Sequence, residues 1–544
     1  MNNTDANRDY EKAEEEHEYD AVTALLLNVT IIGCLLLAYY VKKFRIYTLP
    51  ESAGALLVGI AVGGIARLST DNLQLWEFSP EVFFFVLLPP IIFEAGYSLK
   101  RKDFFDNIGA ITLYAMFGTI ISTFVVGGLS FYAARLGLIQ NVDHENPMES
   151  LLFGSLISAV DPVATLSILG SDEIGCSPQL YYLCFGEAVL NDAVAISLFH
   201  VFARYYKQDG PEWSEAEIPS ALLYFMTTSI LSIGVGVGLG LLASFLFKHT
   251  ELSRYPNLET SLLFSFCYLC YATGEAVGLS GIMALFFQGV VLSHYNAYNL
   301  SPMAHVASEQ IFATLATISE TAVFLYMGMG VFTGRFENYD FRFAVLALIF
   351  CWLGRMLNIF PLSWLANRCR NRSNKIPIEM QCVLWFAGLR GAIAFALAMN
   401  MPGPNKDAYA SATLSICIFT TVVCGGLTEG MLTAFDMKQR RPDTDGDEGM
   451  ALNQLSYTPT AQASPSRRNY PLARRASAHF YRGGKRIWKQ LDDEILKPYF
   501  GGSDGIQSSG RGRDDQLGNY ELGHMEEDTE EEEEEEEDAA FVNG

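Results

Sequence analysis

The sequence predicts an all-α polytopic membrane protein with thirteen spans and a long polar tail. Three observations predict it. Composition is the first: of 544 residues 50% are apolar and only 18% charged, whereas a soluble chain carries about a quarter charged residues. The second is arrangement, because residues 21–435 form a succession of long apolar runs and 436–544 are polar. The third is the placement of basic residues, which cluster in alternate connections between the runs. A single soluble globular enzyme is excluded on these grounds.

A helical span needs about 20 apolar residues to cross roughly 30 Å of hydrocarbon. In chain order the runs that meet this are 21–41, 51–68, 81–97, 108–136, 150–169, 178–205, 220–247, 258–276, 279–296, 309–333, 341–366, 379–400 and 408–435. They are continuous rather than alternating, so helix is predicted over strand, and lipid requires each segment to satisfy its own backbone. Lys42, Lys43 and Arg45 follow the first run, and Lys100, Arg101 and Lys102 the third. Lys248 and Arg254 follow the seventh, and Arg368, Arg370, Arg372 and Lys375 the eleventh. Basic loops face the cytosol, so the N-terminus lies outside or in a lumen and the tail in the cytosol.

Charge within the termini is uneven. The net charge is −24, and twelve of the thirteen residues 526–538 are acidic, which accounts for half of it. Such a run reads as a solvated tail and says nothing of the substrate; nothing in the pattern points to nucleic acid. Residues 1–20 form a short acidic lumenal segment without the basic start of a secretory signal. In the tail, 464–489 carries eight basic residues and is able to rest on anionic lipid, while 488–500 (WKQLDDEILKPYF) is apolar enough to dock. Cytosolic regulatory proteins are expected on this tail. The ten cysteines sit mostly in apolar runs, and Cys267 and Cys270 read as packed thiols.

Ionisable groups within a span are costly and mark function by default. The fifth run places Asp161-Pro162 mid-span. Proline removes a backbone donor and clashes with the carbonyl of Ser158, so the helix breaks beside a carboxylate, with Ser155, Ser158 and Thr165 adding oxygens. In the sixth run Glu187 and Asn191 share a face, and Asp192 lies one step further round. Glu275 and Glu320 fall in the eighth and tenth, and Arg355 in the eleventh. Arg390 lies in the twelfth between Gly388 and Gly391, whose spacing permits a second unwound point. The fifth and twelfth runs are seven apart, as for inverted six-helix repeats. Interrupted helices at equivalent positions point to a transporter's midplane site. Asp161 and Arg390 are placed to compensate the exposed half-helix ends. Buried arginine keeps its charge, so Arg355 and Arg390 require partners, with Glu187, Glu320 and Glu275 as candidates.

FFFVLLPPIIFEAGYSLK (83–100), SAVDPVATLS (158–167), FGEAVLNDAVAISLF (185–199), GEAVGLSGIMALFFQGVVLSHY (274–295), SETAVFLYMG (319–328) and FAGLRGAIAFALAM (386–399) resemble the eukaryotic sodium/proton exchangers of the monovalent cation:proton antiporter-1 family. The resemblance covers about residues 20–435. HYNAYNLSP (294–302), NIFPLSWLANRCR (358–370) and the tail segment WKQLDDEILKPYF resemble the endosomal and organellar branch, with plasma-membrane and vacuolar branches as alternatives. The resemblance implies the sodium/proton antiporter fold, a homodimer, crossed broken helices and lipid at the dimer interface. It implies Asp192 as the carboxylate that takes Na⁺ or K⁺ or a proton, with Asn191 beside it and Asp161 on the crossed helix. It also implies a Glu187–Arg355 pair and Arg390 at the crossover. Bacterial electrogenic relatives carry two adjacent aspartates where this chain has Asn191-Asp192, which implies electroneutral exchange here. Leu88, Pro89, Pro90 and Phe93 align with a segment associated with amiloride-type inhibitors. The function implied is Na⁺ or K⁺ exchange for H⁺ in endosomal or Golgi membranes, with no cofactor beyond the transported ions. A cation channel would use the same acids, and an intramembrane aspartyl protease would need Asp161 and Asp192 in a context that Asn191 and Pro162 do not provide.

Overall fold

The computed structural model describes residues 24–44, 49–69, 80–99, 101–139, 142–161, 163–170, 176–206, 217–332, 340–370, 375–435, 437, 492 and 496–501. Pro162, residues 1–20, the basic segment 464–489 and the acidic run 526–538 lie outside these.

Helices occupy every apolar run. They are α1 (Ala24–Lys43), α2 (Glu51–Ser69), α3 (80–97), α4 (101–135), α5 (Pro147–Ser158), α6 (Val163–Leu169), α7 (Pro178–Tyr205), α8 (Glu217–His249) and α9 (Pro256–Ala276). They continue as α10 (281–296), α11 (Pro302–Met329), α12 (Phe341–Cys369), α13 (Ile378–Phe386), α14 (Ala392–Met399), α15 (406–434) and, in the tail, α16 (Lys497–Phe500). No strand occurs among the described residues. Eight of the described helices are long and apolar enough to cross a membrane, by length and composition. The fifth and twelfth runs are each divided, into α5/α6 and α13/α14.

Local chemistry sets the starts. Proline, whose missing N–H is no loss in a first turn, opens α5, α7, α9 and α11. Asn146, Ser280, Ser301 and Asp340 accept from first-turn amides of α5, α10, α11 and α12. Between α9 and α10 the chain reverses at Gly278, φ +72°, a backbone region that glycine enters without strain.

Two groups of helices result. In one, α2 and α3 pack on α11, and α8 and α9 on α10; in the other, α4 packs on α5, α7 and α12, and α14 and α15 pack on one another. Small residues allow the close approaches, as in membrane bundles. A Cβ at Gly59 would stand 2.3 Å from the Leu325 carbonyl oxygen, and one at Gly328 would stand 2.2 Å from that of Leu56. On the perimeter, Leu25, Val29 and Leu36 of α1, Leu223 and Ile230 of α8 and Trp352 and Trp364 of α12 are exposed. Lipid is the solvent that suits such a surface. The charged side chains Glu187, Arg355 and Arg390 are instead buried inside.

Candidate cation site at the crossed helix breaks

The two breaks meet. The amide of Asp161 donates to the Leu389 carbonyl at 3.0 Å, so the stretch after α5 runs against the stretch after α13. Helix ends expose unpaired carbonyls and amides, and both kinds are answered here by a charge. Arg390 Nη1 donates to the carbonyls of Ser158 and Ala159, each at 2.9 Å, at the negative end of α5. Asp161 Oδ1 accepts from the amide of Val163 at 3.0 Å, and the carboxylate also accepts from the amide of Ala392. One acid thus caps the starts of both α6 and α14. Gly391 is needed for this, because a Cβ there would lie 1.8 Å from Asp161 Oδ2. Arg390 has no carboxylate partner among the described residues, and its charge is spent on helix-end carbonyls, the compensation expected from sequence.

Helix α7 supplies the neighbouring wall. Asn191 is 1% exposed. Its Oδ1 accepts from the amide of Val160 at 3.1 Å and its Nδ2 donates to Thr119 Oγ1 at 2.7 Å. Both ends of the amide are therefore engaged in holding the break against α4. Asp192, next in chain, has the opposite environment. Its Oδ1 is buried with no hydrogen-bond partner, and Asp161 and Arg390 are near enough to act on it electrostatically. A buried unpartnered carboxylate oxygen is costly, and a small cation or a proton removes the cost. Thr165 Oγ1 on α6 is likewise buried and unpartnered. Ser158 is placed less freely than its motif implies. Its hydroxyl donates to the Ser155 carbonyl at 2.6 Å and accepts from Thr123 at 3.3 Å.

Glu187 and Arg355 form a buried bidentate pair, with Nη2 to Oε2 at 3.0 Å and Nη1 to Oε1. Arg355 Nη2 also donates to the Leu384 carbonyl at 2.8 Å at the end of α13. The guanidinium lies across Gly388, where a Cβ would be 2.6 Å from Nε. Two of the arginine-partner candidates are corrected. Glu275 Oε1 accepts from the amide of Gly281 at 3.0 Å, so it caps α10, whose start faces it across the Gly278 turn. Glu320 of α11 has no arginine against it among the described residues. It senses Asp161, Glu94 and Glu51 electrostatically. Leu88, Pro89, Pro90 and Phe93 are buried in α3, where the Phe93 ring lies 4.4 Å from that of Phe312 on α11.

Sequence reasoning missed Thr119, which orients Asn191, and Thr420 of α15, whose hydroxyl accepts from the amide of Arg390 at 3.1 Å. Hydroxyls inside apolar helices are common, and only the tertiary fold brings these to the break.

Two discontinuous helices that cross, charge-compensated ends and an unpartnered carboxylate beside them define a secondary active transporter of small cations. Residues 31–434 match the family model described as "Sodium/hydrogen exchanger, transmembrane", and the chain belongs to that family. It is 34% identical to sodium/hydrogen exchanger 8 of Homo sapiens over 501 residues, 90% of this chain and 84% of that protein. It is 35% identical to sodium/hydrogen exchanger 5 of Arabidopsis thaliana over 454 residues, 82% and 86% of the two. Among solved structures it resembles the sodium proton antiporter MjNhaP1 from Methanocaldococcus jannaschii, with a TM-score of 0.59 and 17% identity over 77% of this chain and 98% of that one. The fold is that of an antiporter, and the protein is a multi-pass membrane transporter rather than an enzyme, with cations as its cargo.

Proposed function

We propose that this antiporter exchanges Na⁺ or K⁺ for H⁺ one for one across an endosomal or Golgi membrane, as a homodimer with its tail in the cytosol. The observation that carries the reading is Asp192 Oδ1, buried and unpartnered beside the crossed breaks. Asp192 takes the cation or the proton; Asp161 and the unpartnered Thr165 hydroxyl add further oxygens. One negative charge accepts one positive species at a time. Moving the site empty through the protein interior leaves an uncompensated charge, several kcal/mol uphill, so the empty site stays where it is and the two fluxes are coupled. Asn191 fixes the geometry rather than the charge. The group α4–α7 with α12–α15 carries the site against the remaining helices. The organellar location rests on the likeness of 294–302 to the organellar branch.

The test is purified protein in sealed proteoliposomes with an internal pH dye, driven by Na⁺, K⁺ and Li⁺ gradients in turn. Cation-driven proton flux is expected from the wild type and none above protein-free vesicles from Asp192→Asn. Robust coupled flux in that variant, at equal reconstitution, removes Asp192 from the site. Single-channel currents from the wild type would replace exchange by a channel.

A further inference from the structure

The last turn of α8 and the C-terminal end of α10 lie side by side, and described residues of the distal tail sit against both. Lys248 Nζ donates to the carbonyls of Lys497 at 3.0 Å and Pro498 at 2.7 Å, at the negative end of the short α16. Asn299 Nδ2 donates to the Phe500 carbonyl at 2.8 Å and to the Ser244 carbonyl of α8 at 3.2 Å, so one amide joins tail and helix. Tyr295 donates its hydroxyl to Asp492 Oδ1 at 2.6 Å, and His294 Nε2 lies 3.3 Å from Oδ2. The Phe500 ring stands 6.3 Å from that of Phe245 and 6.4 Å from that of Tyr295.

Shape adds a further selection. Gly501 has φ +110°, which disfavours any side chain. A Cβ there would fall 2.3 Å from Asn299 Oδ1 and 2.6 Å from the Tyr295 carbonyl oxygen. Asp492 is 7% exposed. Burial alone would push its carboxyl up, but hydrogen bonds from His294 and Tyr295 and the charges of His294 and Lys497 outweigh burial and hold it below the usual range. It docks as a carboxylate.

The site of docking matters mechanically. Helix α8 joins α7, which carries Asp192, to α9 in the other helix group. Its middle lies tightly on α10: a Cβ at Gly236 would be 2.1 Å from the Ala284 carbonyl oxygen, and one at Gly240 would be 2.8 Å from Val291. The tail contacts extend that attachment to the end of α8.

We infer that Lys248, His294, Tyr295 and Asn299 form a socket for Asp492 and residues 497–501 of this same chain, and that the docked tail is a strut fixing the C-terminal half of α8 to α10. The first turns of α8, ahead of the contact between Ser232 and the Ser280 amide, are then left to follow α7 when the site changes sides. Docking stands independently of the exchange mechanism; only its effect on turnover rests on that reading.

The experiment is hydrogen exchange of the full chain in nanodiscs, with Gly501→Val and Lys248→Met as variants and turnover measured in proteoliposomes. The wild type is expected to protect the amides of 499–501. Gly501→Val is expected to speed their exchange at least tenfold and that of 244–249 severalfold, leaving α12 unchanged as a control for folding. Turnover should fall about threefold with the cation KM unaltered. Random-coil exchange of 499–501 in the wild type, or protection that survives Gly501→Val, overturns the socket. Undocking that leaves both α8 protection and turnover intact overturns the strut. A wild type without any exchange sinks the transport reading and leaves the socket standing.

Discussion

At the scale of single residues, the break is built from two opposite solutions to the same problem. Arg390 supplies charge to carbonyls that lost their amides, and Asp161 supplies it to amides that lost their carbonyls. Gly391 is the residue on which the second depends. Gly391→Ala puts a methyl carbon 1.8 Å from Asp161 Oδ2, and the carboxylate has to leave the start of α14. Losing a charged hydrogen bond to a buried amide costs about 1.5–3 kcal/mol. Exchange is therefore expected to fall at least tenfold with the protein still folded and inserted; equal turnover at equal reconstitution would refute the double cap. Asp192 and Asp161 were legible in the sequence because an acid in an apolar run is itself an anomaly. Glu275 and Glu320 were legible only as anomalies. Their partners depend on which wall each helix faces, and helical spacing within one run does not carry that. Thr119, 72 residues from Asn191 in the chain, left no signal for the same reason.

At the scale of elements, α5 is held at both ends. Arg390 grips its last carbonyls, and its first turn is tied by Glu149, buried at 1% exposure. Glu149 Oε1 accepts from the Tyr206 hydroxyl beyond α7 at 3.0 Å, and Oε2 accepts from Asn405 Nδ2 before α15 at 3.0 Å. Burial, then the charge of Glu149, pushes the Tyr206 phenol up to about 12, so it remains a donor throughout the working pH range. Tyr206→Phe keeps the ring and removes the proton that Glu149 uses, which costs about 1–3 kcal/mol for a buried acceptor. Thermal unfolding in detergent should show a lower midpoint for this variant, together with a reduced maximal rate and an unchanged cation KM. An unchanged midpoint would deny the clasp. The elements themselves were readable because apolar runs of this length have one solution in lipid. Their ends were less so. Helix α11 begins at Pro302, seven residues before the predicted 309, since Pro302, His305 and Ser308 interrupt the apolar run in its first turns. The break near Gly388 and Gly391 was readable from their spacing, whereas the meeting of the two breaks followed only from a repeat seven runs apart.

At the scale of the whole molecule, the question is how much charge crosses with each cycle. Of the acids near the break, Asp161 is held by two helix starts and Glu187 by Arg355. Neither is free to exchange a proton for a cation. Asn191, engaged at both ends, brings no charge. On the proposed reading Asp192 carries one positive species each way, so no net charge moves. A net charge carried across 100 mV is worth about 2.3 kcal/mol, which shifts the balance point of the gradients by roughly fiftyfold at 1.4 kcal/mol per factor of ten. The measurement is the cation gradient that just nulls a fixed pH gradient in proteoliposomes, read with and without an imposed potential. For one-for-one exchange the null point is expected to stay where it is. A displacement approaching fiftyfold per 100 mV would mean a second titrating group travels with Asp192, and Glu320, beside Asp161 without an arginine of its own among the described residues, would be the group to replace first.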